Sequence, residues 1–153
     1  MTLQIGDKAP AISLQDQNGK LRSSNDLKGK ALVLFFYPKD DTPGCTAEAC
    51  SFQDNYQVFK KLDAEVWGVS GDNIVSHNNF SGRYKLSFPL LSDQDNKLRK
   101  AFKVPKALGI IPSRVTFLID KNGIIRHIFN NLFDGPLHVQ EALRAINELK
   151  RSI

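Results

Sequence analysis

The chain has 153 residues, of which 41% are hydrophobic and 24% charged, and its formal net charge is +5. This length fits one domain that buries a substantial core, and we predict a single domain over residues 1–153. No apolar run approaches a membrane span, the N-terminal residues lack the pattern of a secretory signal, and two cysteines are too few for a disulfide-stabilised scaffold, which favours a reducing compartment.

The basic residues are scattered along the chain and are not interleaved with aromatic residues, as a surface that stacks nucleic-acid bases would require. They include Lys28, Lys30, Lys60, Lys61, Lys97, Arg99 and Lys100. A solvated basic surface is therefore the favoured interpretation, and binding to nucleic acid or to an anionic membrane stays as the alternative.

The predicted elements start with a small β-hairpin, because the turn DQNGK lies between short apolar pieces near the N-terminus. The continuous apolar run 32–37 predicts a strand that is buried on both faces, and a loop rich in Asp, Pro and Gly follows it. Apolar side chains at helical spacing predict a helix over 45–62. The later elements are a strand at 65–70, a helix from Asp72 or Asn73 to about 84, a short helix near 96–102, strands at 115–119 and 124–129 joined by the turn DKNG, and an amphipathic helix at 137–149.

The order of these elements predicts the fold class. The first two strand–helix units imply parallel strands with helical crossovers, and the DKNG hairpin adds an antiparallel edge. We therefore predict an α/β protein with a thioredoxin-like three-layer α/β/α sandwich, a central mixed sheet and the extra N-terminal β-hairpin.

The stretch TPGCTAEAC (42–50) holds the only two cysteines of the chain, Cys45 and Cys50. Five residues of α-helix rise about 7.5 Å and rotate by about 140°, which places the two Cα atoms roughly 8–9 Å apart. A disulfide needs Cα atoms within about 7 Å of each other. The close spacing suggests a bridge or a metal site, yet the two thiols cannot be bridged while the segment is helical.

Cys45 is predicted to lie in the first turn of a helix that follows the C-terminal end of a strand, where reactive groups of open α/β sheets tend to lie. The unpaired N–H groups and the dipole of a helix N-terminus favour a thiolate, which is the nucleophilic form of cysteine. Gly44 lets a small ligand approach the backbone, and the N–H groups of Gly44 and Cys45 are candidates to bind an oxygen atom. Thr42 is placed to hydrogen-bond the sulfur or a substrate, and Pro38 is placed to shield the pocket from water.

The run FFYPKDDTPGCTAEAC resembles the active-site signature of peroxiredoxins, Pro-x-x-x-Thr-x-x-Cys, which Pro38, Thr42 and Cys45 match. The second cysteine five residues later resembles the Q-type branch, also called the bacterioferritin comigratory protein group. Four further stretches match the family pattern in order, and the resemblance covers nearly the whole chain. They are GDKAP near the start, VWGVSGD after the second strand, FPLLSD at 88–93 and SRVTFLIDKNG at 113–123.

The resemblance implies a thioredoxin-like fold and the thiol-dependent reduction of hydrogen peroxide and organic hydroperoxides. It implies that Cys45 is the peroxidatic cysteine and Cys50 the resolving cysteine, and that the two form an intramolecular redox disulfide. It also implies that Thr42 hydrogen-bonds sulfur and peroxide, and that the charge of Arg114 favours the thiolate and orients the substrate. The implied reductant is thioredoxin or a similar dithiol protein, and the implied oligomeric state is a monomer. We expect a cytoplasmic location, with the mature form of a plastid protein as the alternative.

Oxidised Cys45 must be trapped by a second thiol, which Cys50 cannot provide until the first turns of the helix unwind. The intervening residues TAEA carry no large apolar anchor, so we expect this unwinding to be easy. The resulting disulfide would be exposed to a reductant, and exposed disulfides are readily reduced.

A metal site is the main alternative for two cysteines, but zinc takes four ligands and prefers cysteines two to four residues apart. The three histidines, His77, His127 and His138, are isolated in the sequence, and we predict that they are surface or packing residues. No motif places a histidine beside Cys45, as a cysteine hydrolase requires, and the spacing is not C-x-x-C. We therefore predict no metal and no cofactor. A non-enzymatic redox sensor or holdase that uses the same switch to pass its oxidation to a partner stays open as a different class of function.

Overall fold

A computed structural model describes residues 3–27, 29–107 and 111–151. Its centre is a five-stranded mixed sheet with the strand order β5-β4-β3-β8-β9. The strands of this sheet are β3 (Ala31–Phe36), β4 (Ala64–Ser70), β5 (Leu90–Ser92), β8 (Val115–Ile119) and β9 (Ile125–Asn130). β3, β4 and β5 are parallel, whereas β8 and β9 run antiparallel, so the predicted mixed sheet with an antiparallel edge is confirmed.

Two short antiparallel pairs lie outside the central sheet. β1 and β2 form the predicted N-terminal hairpin, and β6 and β7 form a second ribbon that the sequence pattern does not predict. The bounds are β1 (Ser13–Gln15), β2 (Leu21–Ser23), β6 (Lys106–Ala107) and β7 (Ile111–Pro112), with a short 3₁₀ helix at Ser24–Leu27 after β2.

Five helices connect or cover the strands in the described part of the chain. They are α1 (Pro43–Asp54), α2 (Tyr56–Lys61), α3 (Ile74–Tyr84), α4 (Lys97–Ala101) and α5 (Gly135–Arg151). The side chain of Asn73 accepts a hydrogen bond from the N–H of Ser76, so it caps α3 as one of the two predicted candidates. No helix in these described ranges is long and apolar enough to cross a membrane.

β3 is the central strand, and all six of its residues are buried, as a continuous apolar run predicts. Alternate side chains enter two cores, one on each face of the sheet. Phe35 contacts Phe52 of α1 with ring centroids 4.4 Å apart, and α3 and α5 contribute to the same core. On the other face Phe36 contacts Phe102, which follows α4. The sheet therefore lies between two layers, and the C-terminal end of β3 leads through a loop to the start of α1.

The predicted helix over 45–62 is broken at Asn55, which separates α1 from α2. The side-chain amide of Asn55 donates a hydrogen bond to the carbonyl oxygen of Ser51 at 2.9 Å, and the backbone N–H of Asn55 donates to the same oxygen at 3.3 Å. The apolar periodicity continues through the break because Phe52, Tyr56 and Phe59 are all buried. The periodicity of apolar residues alone therefore cannot locate the break at Asn55.

Candidate active site

Cys45 lies in the first turn of α1, directly after the loop that follows β3. Thr42 occupies the N-cap position with an extended backbone, and Pro43 is the first residue of the helix, where a missing N–H is tolerated. The side chain of Cys45 is buried, with 2% exposure, and its thiol is free. The first backbone N–H groups of the helix have no acceptor within it, so the positive end of the helix dipole lies at the turn that contains Cys45.

Arg114, which directly precedes β8, brings a positive charge to this sulfur. Its Nη1 donates to the Sγ of Cys45 at 3.5 Å and to the Oε1 of Glu48 at 2.6 Å, while its Nε donates to the carbonyl oxygen of Leu132 at 3.0 Å. Burial lowers the pKa of the guanidinium, but Glu48 and Cys45 outweigh burial and raise it overall. The charge is therefore fixed in position and permanent.

Gly44 makes room for this arginine. A Cβ atom at Gly44 would lie 3.0 Å from the Nη2 of Arg114. A second glycine allows α5 to approach α1, since a Cβ atom at Gly135 would lie 2.6 Å from the Cβ of Glu48 and 2.9 Å from the carbonyl oxygen of Gly44. In this structure the guanidinium group of Arg114 thus lies in the space beside Gly44 that we predicted for a ligand.

Glu48 is the partner of Arg114 that the sequence analysis misses. It is fully buried, and its Oε2 has no hydrogen-bond partner, although the Nδ1 of His138 lies 3.7 Å away. Burial raises the pKa of Glu48 to about 8, although the charge and hydrogen bond of Arg114 lower it. TAEA carries no large apolar side chain, as predicted, but the buried carboxyl group of Glu48 holds this segment through its hydrogen bond with Arg114.

His138 supports this pair from α5. Its Nε2 faces the carbonyl oxygen of Asn131 at 2.7 Å, and its Nδ1 faces the hydroxyl of Thr116 at 2.8 Å. A carbonyl oxygen only accepts, so Nε2 carries the proton and Nδ1 accepts from Thr116. Burial lowers the pKa of His138 to about 4, which keeps the ring neutral. Asn131 in turn donates its N–H to the carbonyl oxygen of Arg114 at 3.2 Å.

Thr42 and Pro38 lie in the segment between β3 and Cys45. The hydroxyl of Thr42 donates to the carbonyl oxygen of Lys39 at 2.9 Å, which fixes its orientation while its oxygen keeps acceptor capacity. Pro38 is half-buried and follows Tyr37, a buried residue directly after β3. The predicted hydrogen bond from Thr42 to the sulfur is not among the contacts of the described residues, so this role stays a prediction.

Cys50 lies on the same helix, five residues after Cys45, and its thiol is free. Its side chain is half-buried, and burial together with the charge of Asp54 raises its pKa. The structure therefore describes a wound helix with two separate thiols.

The three histidines were predicted to be surface or packing residues, and the structure adds polar contacts for each of them. His77 and His138 are fully buried with both ring nitrogens in polar contacts, and the half-buried His127 lies 3.4 Å from the carboxylate of Glu141. Their partners come from distant parts of the chain, and the sequence gives no signal for them. Glu48 does have one, because a residue three positions after Cys45 lies on the same face of a helix.

Comparisons with known proteins support the geometry. The AhpC/TSA family model matches residues 5–128. Chloroplastic peroxiredoxin Q of rice (Oryza sativa subsp. japonica) is 48% identical over 145 residues, which are 94% of this chain and 67% of the rice protein. The crystal structure of peroxidoxin BcpB from Mycobacterium tuberculosis is 32% identical, with a TM-score of 0.87 over 95% of this chain and 97% of that chain. A mutant of PrxQ from Xylella fastidiosa is also 32% identical, with a TM-score of 0.86 over 99% of this chain and 98% of that chain.

A mixed sheet with a buried cysteine at the start of a helix, beside a fixed arginine, places the molecule among the thioredoxin-fold peroxidases, which are oxidoreductases. The chain belongs to the AhpC/TSA family, and within it to the peroxiredoxins of the Q type.

Proposed function

We propose that this peroxiredoxin reduces hydrogen peroxide and organic hydroperoxides in a cycle that uses Cys45, then Cys50, then a thioredoxin-like dithiol protein. One observation supports the proposal most strongly. The sulfur of Cys45 is buried at a helix N-terminus, 3.5 Å from the Nη1 of Arg114, and the second thiol lies on the same helix. The cycle takes its electrons from thiols, so we propose no metal and no cofactor.

In the first step the thiolate of Cys45 attacks one oxygen of the peroxide. The S–O bond forms as the O–O bond breaks, the sulfur becomes a sulfenic acid, and the leaving hydroxide or alkoxide takes a proton to become water or an alcohol. Arg114 stabilises the thiolate and orients the peroxide, and the N–H groups of Gly44 and Cys45 bind an oxygen atom. Thr42 hydrogen-bonds the substrate, and Pro38 shields the reaction from water.

In the second step the thiol of Cys50 attacks the sulfenic sulfur, an S–S bond forms, and water leaves. The first turns of α1 must unwind before these two sulfurs can meet. Each backbone hydrogen bond that breaks costs about 0.5–1.5 kcal/mol net. Glu48 must also leave Arg114, because it lies between the cysteines. The existing break at Asn55 limits how far the unwinding has to extend.

In the third step a dithiol protein reduces the Cys45–Cys50 disulfide, which the unwound segment exposes. We propose that the chain works as a monomer with one domain. We also propose a cytoplasmic location, with a plastid location as the alternative that the chloroplastic name of the rice relative favours.

Replacing Cys50 by serine is expected to preserve the first step and prevent the second. The rate constant for oxidation of Cys45 should stay within about twofold of wild type, because no contact of Arg114 involves Cys50. Turnover with thioredoxin should fall to background, and a sulfenic acid should accumulate. Stopped-flow oxidation and trapping with dimedone measure the two outcomes.

Ala47→Ser is the matched control, since Ala47 is an exposed residue between the two cysteines. This variant should turn over like wild type. A Cys50→Ser protein that turned over normally with thioredoxin, or that lost the first oxidation as well, would contradict the assigned role of Cys50.

Replacing Glu48 by glutamine is expected to weaken the pH dependence of disulfide formation. Burial raises the pKa of Glu48 to about 8 in the wound helix, and an exposed glutamate titrates near its ordinary value of 4.5. Between these two values the wound helix binds more protons than the unwound one. The wound form is therefore favoured at low pH, and this advantage is lost as the pH rises through this window.

In the wild type the rate of disulfide formation should rise by up to about tenfold per pH unit more than in Glu48→Gln over this window. Single-turnover kinetics from pH 5 to pH 8, followed by quenched mass spectrometry, measure both slopes. Titration of Cys50 is common to the two proteins and cancels in the comparison. Equal slopes would show that Glu48 does not change its protonation when α1 unwinds.

A further inference from the structure

The loop that connects β3 to α1 carries Pro38 and Thr42, and it also contains a buried carboxyl group, that of Asp40. Asp40 is 6% exposed. Its Oδ1 accepts a hydrogen bond from the hydroxyl of Tyr37 at 2.6 Å, and its Oδ2 accepts one from the hydroxyl of Ser76 at 2.9 Å. The Nδ1 of His77 lies 2.7 Å from the same Oδ2. Ser76 and His77 both belong to α3, so this helix holds the loop.

The neighbouring residues of the loop are tied to the same region. The backbone N–H of Asp40 donates to the Oδ2 of Asp72, which precedes α3, at 2.8 Å. Asp41 has a left-handed backbone with φ of 60°, and its carboxylate lies 3.3 Å from both Arg83 and the hydroxyl of Tyr84 near the end of α3. Left-handed backbone is unfavourable for most residues, so these contacts fix a conformation that the chain would not choose alone.

The hydrogen bonds of His77 determine where its protons lie. The side chain is fully buried, and its Nε2 lies 2.9 Å from the carbonyl oxygen of Leu91 in β5. That oxygen only accepts, so Nε2 carries a proton. Oδ2 of Asp40 and Nδ1 of His77 also need a proton between them, because two lone pairs at 2.7 Å repel. The oxygens of Asp40 already accept hydrogen bonds from the hydroxyl groups of Tyr37 and Ser76, and a carboxylate has the lone pairs to accept a third at Oδ2, so the hydrogen-bond pattern assigns the proton to the ring.

We propose that His77 and Asp40 form a buried imidazolium–carboxylate pair that positions the catalytic loop. The titratable groups that face the pair are Tyr37, which directly follows β3, and Asp72 from the segment before α3. The pair holds Asp40, and through it places Pro38 and Thr42 relative to the sulfur of Cys45. Both residues are positioning residues, since neither contacts the sulfur.

This inference rests on the proposed function, and it adds a limit to how far the unwinding of α1 extends. The described side-chain contacts that hold residues 40 and 41 come from Tyr37, from the segment before α3 and from α3, and none comes from α1. When α1 unwinds, the loop therefore stays in place. Unwinding is confined to the segment between Asp41 and the break at Asn55.

The protonation state can be measured on the wild-type protein, without any variant. Nitrogen-15 NMR of ring-labelled histidine at neutral pH should show that both nitrogens of His77 carry protons, with an Nδ1 proton shifted strongly downfield by the short hydrogen bond. His138 should show one protonated nitrogen in the same spectrum. A His77 ring with an unprotonated nitrogen would overturn the pair.

Variants test the positioning role. Asp40→Ala and His77→Gln should lower the rate constant for oxidation of Cys45 by about tenfold, an interaction worth about 1.4 kcal/mol. Asp40→Asn should stay within about twofold of wild type, because its amide donates to the Nδ1 of a neutral ring and its oxygen still accepts from Tyr37. His127→Gln is the control.

Equal loss in Asp40→Ala and Asp40→Asn, or no loss in either Asp40→Ala or His77→Gln, would overturn the positioning role. These outcomes are distinct from a failure of the proposed function. If the proposed function failed, the Cys50→Ser protein would not accumulate a sulfenic acid, whatever the effect of the loop variants.

Discussion

Replacing Cys45 by serine is expected to reduce peroxide turnover to the uncatalysed background. A serine hydroxyl stays protonated near neutral pH, and its oxygen is a far weaker nucleophile toward an O–O bond than a thiolate sulfur. Cys50 cannot take over, because the fixed contact of Arg114 is with Cys45 and because burial and Asp54 raise the pKa of the Cys50 thiol. Peroxide consumption with thioredoxin, thioredoxin reductase and NADPH measures the loss.

Comparison with Cys50→Ser separates the two cysteines within one assay. That variant should consume one equivalent of peroxide and then stop, whereas Cys45→Ser should consume none. Serine is close in size to cysteine, so a circular dichroism melt should show that both proteins fold. Turnover by Cys45→Ser within about tenfold of wild type would mean that another group is the nucleophile.

Replacing Arg114 by lysine is expected to lower the rate constant for oxidation of Cys45 by about 10²–10³-fold, as the loss of one preorganised donor does in other enzymes. Lysine keeps the charge but has no planar fork that reaches Cys45, Glu48 and Leu132 at once. Stopped-flow oxidation measured over a range of peroxide concentrations gives the rate constant.

The same substitution should reduce stability. Arg114 donates buried hydrogen bonds to Glu48 and to the carbonyl oxygen of Leu132, and leaving a buried polar partner unsatisfied typically costs about 1–3 kcal/mol, although lysine keeps one donor near Glu48 and should lose less. Arg126→Lys is the matched control, because Arg126 is an exposed residue on the edge strand β9 and pairs with Asp120, away from Cys45. This control should retain the oxidation rate. Equal rates for Arg114→Lys and wild type would remove Arg114 from the proposed first step.

The element order and the position of Cys45 were predictable because local signals determine them. The continuous apolar run of β3 and the turn DKNG gave the mixed sheet. The break at Asn55 was not predictable, because buried residues continue on both sides of it with helical spacing. β5 has only three residues, too few for a periodic pattern.

The buried polar groups around the site were less predictable, because most of their partners are distant in sequence. Arg114 and Cys45 are linked by the family resemblance, whereas the contacts of His138 and His77 depend on how the helices pack on the sheet. A histidine that is isolated in sequence carries no sign of whether it will be buried. Only Glu48 had a local signal, through its spacing from Cys45.

One measurement tests the redox cycle most directly. The reduced protein is treated with one equivalent of peroxide, and intact mass, peptide mapping and hydrogen–deuterium exchange are recorded before and after the pulse. We expect the loss of two hydrogen atoms, a Cys45–Cys50 disulfide, and faster exchange confined to the N-terminal part of α1. Two free thiols after the pulse, or a bridge between them with α1 still protected, would contradict the account.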